Sequence, residues 1–181
     1  MARVPLITAK DQVPEKHHAI VDGIVGSRGS LHGPFSVFLH SPEISERVAH
    51  LGALVRFEGT LDFRVRVLAA LTVAREFEAM YVWGAQTASA RRQKMPETTI
   101  TAIKENRSDG IPAEDLQIID FTRQLLRKHR VDDATAQAIL GRFGNDQFIQ
   151  LTGAIGYYSM LCMTVNACAL ENEPGAEVLK I

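Results

Sequence analysis

The chain has 181 residues, with 20 Lys plus Arg against 21 Asp plus Glu and a formal net charge of -1. Its basic residues are scattered, which argues against nucleic acid or an anionic membrane as the main partner and points to a small molecule or another protein. Since a domain of about 150 residues removes roughly 68–70% of its unfolded surface from water, a single domain over residues 1–181 with a sizeable core is expected.

In chain order, Met1 to Lys10 lacks an extended apolar core before Asp11, so no signal peptide is expected. Pro14 to Val25 sets Ile20, Val21 and Ile24 on one side and predicts a short amphipathic helix stopped by Gly26 and Gly29. From Arg28 to Pro42 the glycines and prolines preclude a regular helix. Leu31, Phe35, Val37, Phe38 and Leu39 nevertheless make this loop too apolar to hang in water, so it is expected to pack inward or against a neighbouring subunit. His32 and His40 travel with it and are candidate pocket residues. Ser41, Pro42 and Glu43 form a helix start: a capping hydroxyl, a preset φ and an anion at the positive end of the dipole. Ile44, Val48, Leu51 and Val55 are the expected core face of that helix.

After a break at Gly59 and Thr60, Val65 to Ala74 is apolar except for Arg66 and Thr72, the pattern of a helix buried on most sides. Phe77, Met80, Tyr81, Gly84, Ala85 and Ala88 then fall on one helical face, with Glu76, Glu78, Trp83 and Gln86 off it. A buried helix leading into acids, amides and aromatics is the expected pocket wall. Ile100 and Ile103 anchor a helix from Glu97 to Asn106, and Asp109 to Pro112 turns the chain. Ala113 to Arg130 carries Ile118, Phe121, Thr122, Leu125 and Leu126 on one face and basic residues at its C-terminal end. Asp132 or Asp133 caps a short helix that Gly144 ends. Asp146 to Leu170 is the last helix, with Leu151, Ile155, Tyr158 and Cys162 along one side.

Gln147 to Leu170 carries no formal charge, yet its Gln, Thr, Asn and Gly residues and the missing Lys/Arg asymmetry identify a buried helix and no membrane span. On that helix Cys162 and Cys168 lie about 9 Å apart at about 1.5 Å per residue, too far for a disulfide. They are expected to be two small buried residues, and free thiols suit a reducing cytoplasm. No strand run, repeat, metal-ligand cluster or cofactor fingerprint is present, so the fold class is all-α and neither metal nor cofactor is expected.

Four stretches carry a family resemblance: Arg28-Gly-Ser-Leu-His-Gly-Pro-Phe35 with Leu39-His-Ser-Pro42, then Arg64 to Arg75, then Tyr81-Val-Trp-Gly-Ala-Gln86 and its continuation through Ile103, and Gly156-Tyr-Tyr-Ser-Met160 with Asn166-Ala. Through them the chain resembles carboxymuconolactone decarboxylase-like proteins of the superfamily that includes the AhpD-type alkylhydroperoxidases. The resemblance implies a multi-helix bundle assembled as a trimer, hexamer or dimer, and a lyase acting on a small organic acid or lactone. The peroxidase branch carries a Glu, a Cys-x-x-Cys pair and a His, and the matching positions here are Val67, Ala79, Val82 and Gln86. A thiol-free branch reads Tyr-Glu-Trp-x-x-His, of which Tyr81 and Trp83 remain. Gln86 cannot carry a proton as the His would.

On this reading Glu78 and Gln86 are the candidate catalytic groups, with Tyr81, Trp83, Glu76, His32 and His40 around the pocket. Two other readings stand beside the enzyme: a non-catalytic binding or assembly protein on the same fold, and a peroxiredoxin-like alkylhydroperoxidase. The last lacks an activated thiolate at the relay positions.

Overall fold

The computed structural model describes residues 2–179, and no β-strand occurs among them. Two short 3₁₀ turns, Lys10–Gln12 and Glu15–His17, lead into eight α-helices: α1 His18–Arg28, α2 Phe35–Phe38, α3 Pro42–Ala53, α4 Phe63–Glu76, α5 Met80–Arg92, α6 Glu97–Lys104, α7 Ala113–Lys128 and α8 Asp133–Ala167. A π-helical turn, Leu54–Glu58, extends α3.

The bundle is built around α4. Asp62 accepts hydrogen bonds from the Arg64 and Val65 amides to start it, and every residue from Val65 to Ala74 is buried. A helix buried all round needs neighbours all round, and α4 packs against α5, α6, α7 and α8. Asp115 of α7 is buried and takes two hydrogen bonds from the Arg64 guanidinium, from Nε at 3.0 Å and Nη2 at 2.5 Å, which fixes the register of the two helices. α8 breaks at Gly144, whose φ of 70° and ψ of 177° only glycine adopts freely, and beyond the break Leu151, Ile155, Tyr158 and Cys162 are buried as expected. This helix is long and apolar enough to cross a membrane, but half of its most apolar window is buried inside the bundle.

Four local expectations are corrected. The α4–α5 periodicity does not run through: α4 stops at Glu76, and Glu78 adopts a left-handed φ of 51°. The amides of Glu78 and Ala79 return to the carbonyls of Arg75 and Ala74, the pairing of a Schellman cap. Restarting at Met80 shifts the helical phase, so Trp83, Thr87 and Ala90 face the core while Ala85 and Ala88 are exposed. In α3 the buried face is Ser45, Val48, Ala49 and Gly52, and Ile44 and Leu51 are exposed. Small residues face inward there because α3 closes on α8: a side chain at Gly52 would meet the Tyr157 hydroxyl. Ser41 precedes Pro42 as expected, but its hydroxyl makes no cap bond. Finally, the Arg28 to Pro42 segment is not free of helix, since the fixed φ of Pro34 starts the single turn α2. Leu31, Phe35, Val37, Phe38 and Leu39 are all buried in the chain's own core, so this segment needs no neighbouring subunit to cover it.

Candidate functional site

Where α1, α5, α8 and the π turn converge they leave a cavity of about 220 Å³. Tyr157 and Tyr158 on α8 form one wall, and Tyr81, Val82 and Gln86 on α5 form another. Arg28, the last residue of α1, and Arg56, in the π turn, contribute guanidinium groups, and His32 enters from the segment that follows α1. Among the described residues, no carboxylate lines the space.

Arg28 is held in place by neutral partners. Nη1 donates to Ser27 Oγ at 2.6 Å and Nη2 to the Ala49 carbonyl at 2.9 Å, and the guanidinium lies 4.3 Å from the Phe35 ring centroid. Its Nε is buried without an acceptor. Arg56 stacks on Phe57. Burial and the neighbouring Tyr158 push the Tyr157 hydroxyl above the ordinary tyrosine range, while the positive fields of Arg28 and Arg56 both act to lower it. Both guanidinium charges are thus felt at Tyr157. Beneath them Arg66, on α4 and 5% exposed, donates from Nη1 to the Tyr158 hydroxyl oxygen at 2.9 Å and lies over the Phe63 ring.

Tyr81 separates this cavity from a second hollow of about 360 Å³, lined in part by Glu173. Its hydroxyl donates to Glu173 Oε1 at 3.1 Å. Burial and then that carboxylate raise its pKa, so the phenol keeps its proton. A side chain at Gly33, where φ is +67°, would begin 2.5 Å from that hydroxyl, so glycine is favoured there on two counts.

Of the residues singled out from the sequence, Gln86, Tyr81 and His32 meet at this cavity. Gln86 Oε1 is buried and has no hydrogen-bond partner. The other four lie elsewhere. Trp83 is 0% exposed and sits on the core side of α5, because the shifted phase of that helix turns it inward. Glu76 pairs with Arg127, whose Nε donates to it at 2.7 Å, and so ties α4 to α7. Glu78 is exposed in the turn between α4 and α5, 3.6 Å from Arg75, and lines neither of these two cavities. His40 is exposed, with Nε2 2.7 Å from the Pro5 carbonyl. The position of Glu78 leads to a stability prediction: Glu78→Gly should relieve the left-handed strain and raise stability by up to about 1 kcal/mol. Denaturant melts check this, and a loss of more than that amount would show that Glu78 makes a contact the turn geometry does not explain.

Sequence reasoning missed Arg28, Arg56, Tyr157 and Arg66 as site residues and placed Tyr158 only in the core. Two signals were present: a charge at Arg66 inside an otherwise apolar run, and two adjacent tyrosines in an uncharged helix. Arg28 and Arg56 carried no local signal, since only the packing of α1 and the π turn against α8 brings them together.

Cys162 is fully buried, which pushes its thiol pKa up, and neither cysteine lines the cavity. Hydroperoxide turnover with a dithiol reductant should therefore be at background and equal in wild type and in the Cys162→Ser/Cys168→Ser variant. Robust turnover lost in that variant would contradict this. Among the described residues, no group of three or more His, Cys, Asp and Glu side chains could hold a metal ion.

No family model matches the sequence, and no curated protein does either. Solved structures do match in fold. An alkylhydroperoxidase AhpD core structure, of a peroxidase-related protein from Ralstonia eutropha JMP134, aligns at 15% identity with a TM-score of 0.76, over 96% of this chain and 93% of that one. A protein of unknown function from Agrobacterium tumefaciens, suggested to be the antioxidant defence protein AhpD, aligns at 14% identity with a TM-score of 0.69, over 78% of this chain and 99% of that one.

Proposed function

We propose, for a chain that carries the all-α AhpD-like fold around this cationic cavity, that it binds a small organic acid or lactone without thiol chemistry. The observation that carries the reading is the composition of the cavity wall. Two guanidinium groups, three phenols and an amide line it, and among the described residues no carboxylate on the wall neutralises them. Such a wall offers hydrogen-bond donors and positive potential, which a carboxylate or a lactone carbonyl accepts.

The cavity favours binding over lyase turnover. Decarboxylation or isomerisation needs a proton donor and a proton acceptor as well as stabilisation of developing negative charge. The acids expected to serve, Glu76 and Glu78, are engaged elsewhere, and His32 is the one imidazole on the wall. The peroxidase description of the structural neighbours is not carried over, because the positions matched to the dithiol are Ala79 and Val82.

Thermal shift against small carboxylates and lactones tests the reading. A ligand at about a hundredfold excess over Kd adds roughly 2.7 kcal/mol of stability, and a panel in which no acid or lactone raises the Tm contradicts it. Self-association belongs to the proposal as well, with exposed Ile44, Leu51, Leu54 and Phe57 as the contact face. Light scattering that gives a monomer at micromolar concentration would remove that part.

A further inference from the structure

Arg66 is a buried cation with an unusual partner. It is 5% exposed, and no carboxylate pairs with it among the described residues. Its one hydrogen bond to another side chain goes to the Tyr158 hydroxyl oxygen. A guanidinium has donors only, so in this bond the tyrosine accepts. The hydroxyl hydrogen of Tyr158 then has to point away from Arg66, and no acceptor among the described residues receives it. Tyr158 is 1% exposed and lines the cavity, so that hydrogen is a buried donor in need of an acceptor. Arg28, which lines the same cavity, has in its Nε a second buried donor without one.

We infer that Arg66 is a positioning residue that fixes the Tyr158 hydroxyl as a donor into the cavity, and that the ligand group it meets there is an ionised carboxylate. This deepens the binding function proposed above and rests on it. A carboxylate is acceptor-only, has lone pairs for more than one donor, and carries the charge that Arg28, Arg56 and Arg66 lack. A neutral ester or amide of the same shape offers a weaker acceptor and leaves the charge unbalanced. With Arg66 absent, the Tyr158 hydroxyl is free to rotate and its hydrogen is no longer committed to the ligand.

Benzoate and methyl benzoate are suitable probes, titrated calorimetrically into wild type, Tyr158→Phe, Arg66→Met and the double variant, each first checked for folding by circular dichroism. Benzoate is expected to bind wild type at least tenfold more tightly than the ester. Each single variant should lose about tenfold in benzoate affinity. The double variant should lose no more than Tyr158→Phe alone, because Arg66 acts through that hydroxyl. An equal loss from Arg66→Met in the Tyr158→Phe background overturns the inference, since a purely structural or long-range role would persist there. Equal binding of acid and ester overturns it too. Should Arg66→Met fail to fold, Tyr158→Phe decides alone, and unchanged benzoate affinity sinks the idea. The failure of every small carboxylate and lactone to bind wild type would instead remove the binding function, and this inference with it.

Discussion

Trp83→Ala is expected to cost about 3–5 kcal/mol of folding stability, the usual price of emptying a buried indole site. Trp83 is fully enclosed on the core side of α5, and its Nε1 has no hydrogen-bond partner, so the side chain contributes by packing alone. Trp83→Phe should recover most of the loss, because the missing hydrogen bond leaves shape as the only requirement. Urea melts check both variants. Ligand affinity measured on the folded fraction should be close to wild type, since the indole does not line the cavity. A Trp83→Ala protein of normal stability and lost affinity would place the indole in the site after all.

Gln86→Ala is expected to do the reverse. Among the described residues the Gln86 side chain makes no hydrogen bond, and its oxygen is buried at the cavity wall. Removing it therefore breaks nothing in the folded protein, and stability should change by less than about 0.5 kcal/mol. Affinity for a small acid or lactone should fall tenfold to a hundredfold, the effect of losing one buried hydrogen-bonding partner worth about 1–3 kcal/mol. The amide can turn end for end and so serve a ligand acceptor or a ligand hydroxyl. Titration calorimetry on the two proteins decides the matter: a drop in stability with unchanged affinity would make Gln86 a packing residue.

These two residues lie three positions apart and were read together from the sequence as one wall. Their separation shows what a linear pattern carries and what it does not. Helix periodicity located α4 and its burial, because an apolar run has the same meaning in any register. Gly144 was legible as a break because its conformation is a property of the residue. The phase of α5 was hidden by Glu78, a left-handed cap formed by a residue type that does not announce one. The inward face of α3 was hidden for a different reason: how closely α8 approaches decides that Gly52 and Ala49 turn in and Leu51 turns out.

The site follows the same division. Gln86, Tyr81 and His32 stand in segments dense with polar and aromatic residues, and the cavity does form beside them. The glutamates next to them looked equally chemical, but Glu76 was within reach of Arg127 on α7, a partner far away in the chain. The positive charge of the cavity comes from Arg28, at the end of α1, and Arg56, in the π turn that extends α3. Their convergence on Tyr157 is a product of helix packing and has no signature in the residues around either.

A crystal structure of the protein soaked with 4-bromobenzoate tests the central claim most directly, because the anomalous scattering of the bromine distinguishes the ligand from water and buffer molecules. The expected result is an anomalous peak inside the cavity bounded by α5 and α8, with the carboxylate within hydrogen-bond distance of the Tyr158 hydroxyl and the Arg28 guanidinium. Bromine found only on the outer surface, or a carboxylate turned away from both groups at full occupancy, would contradict it.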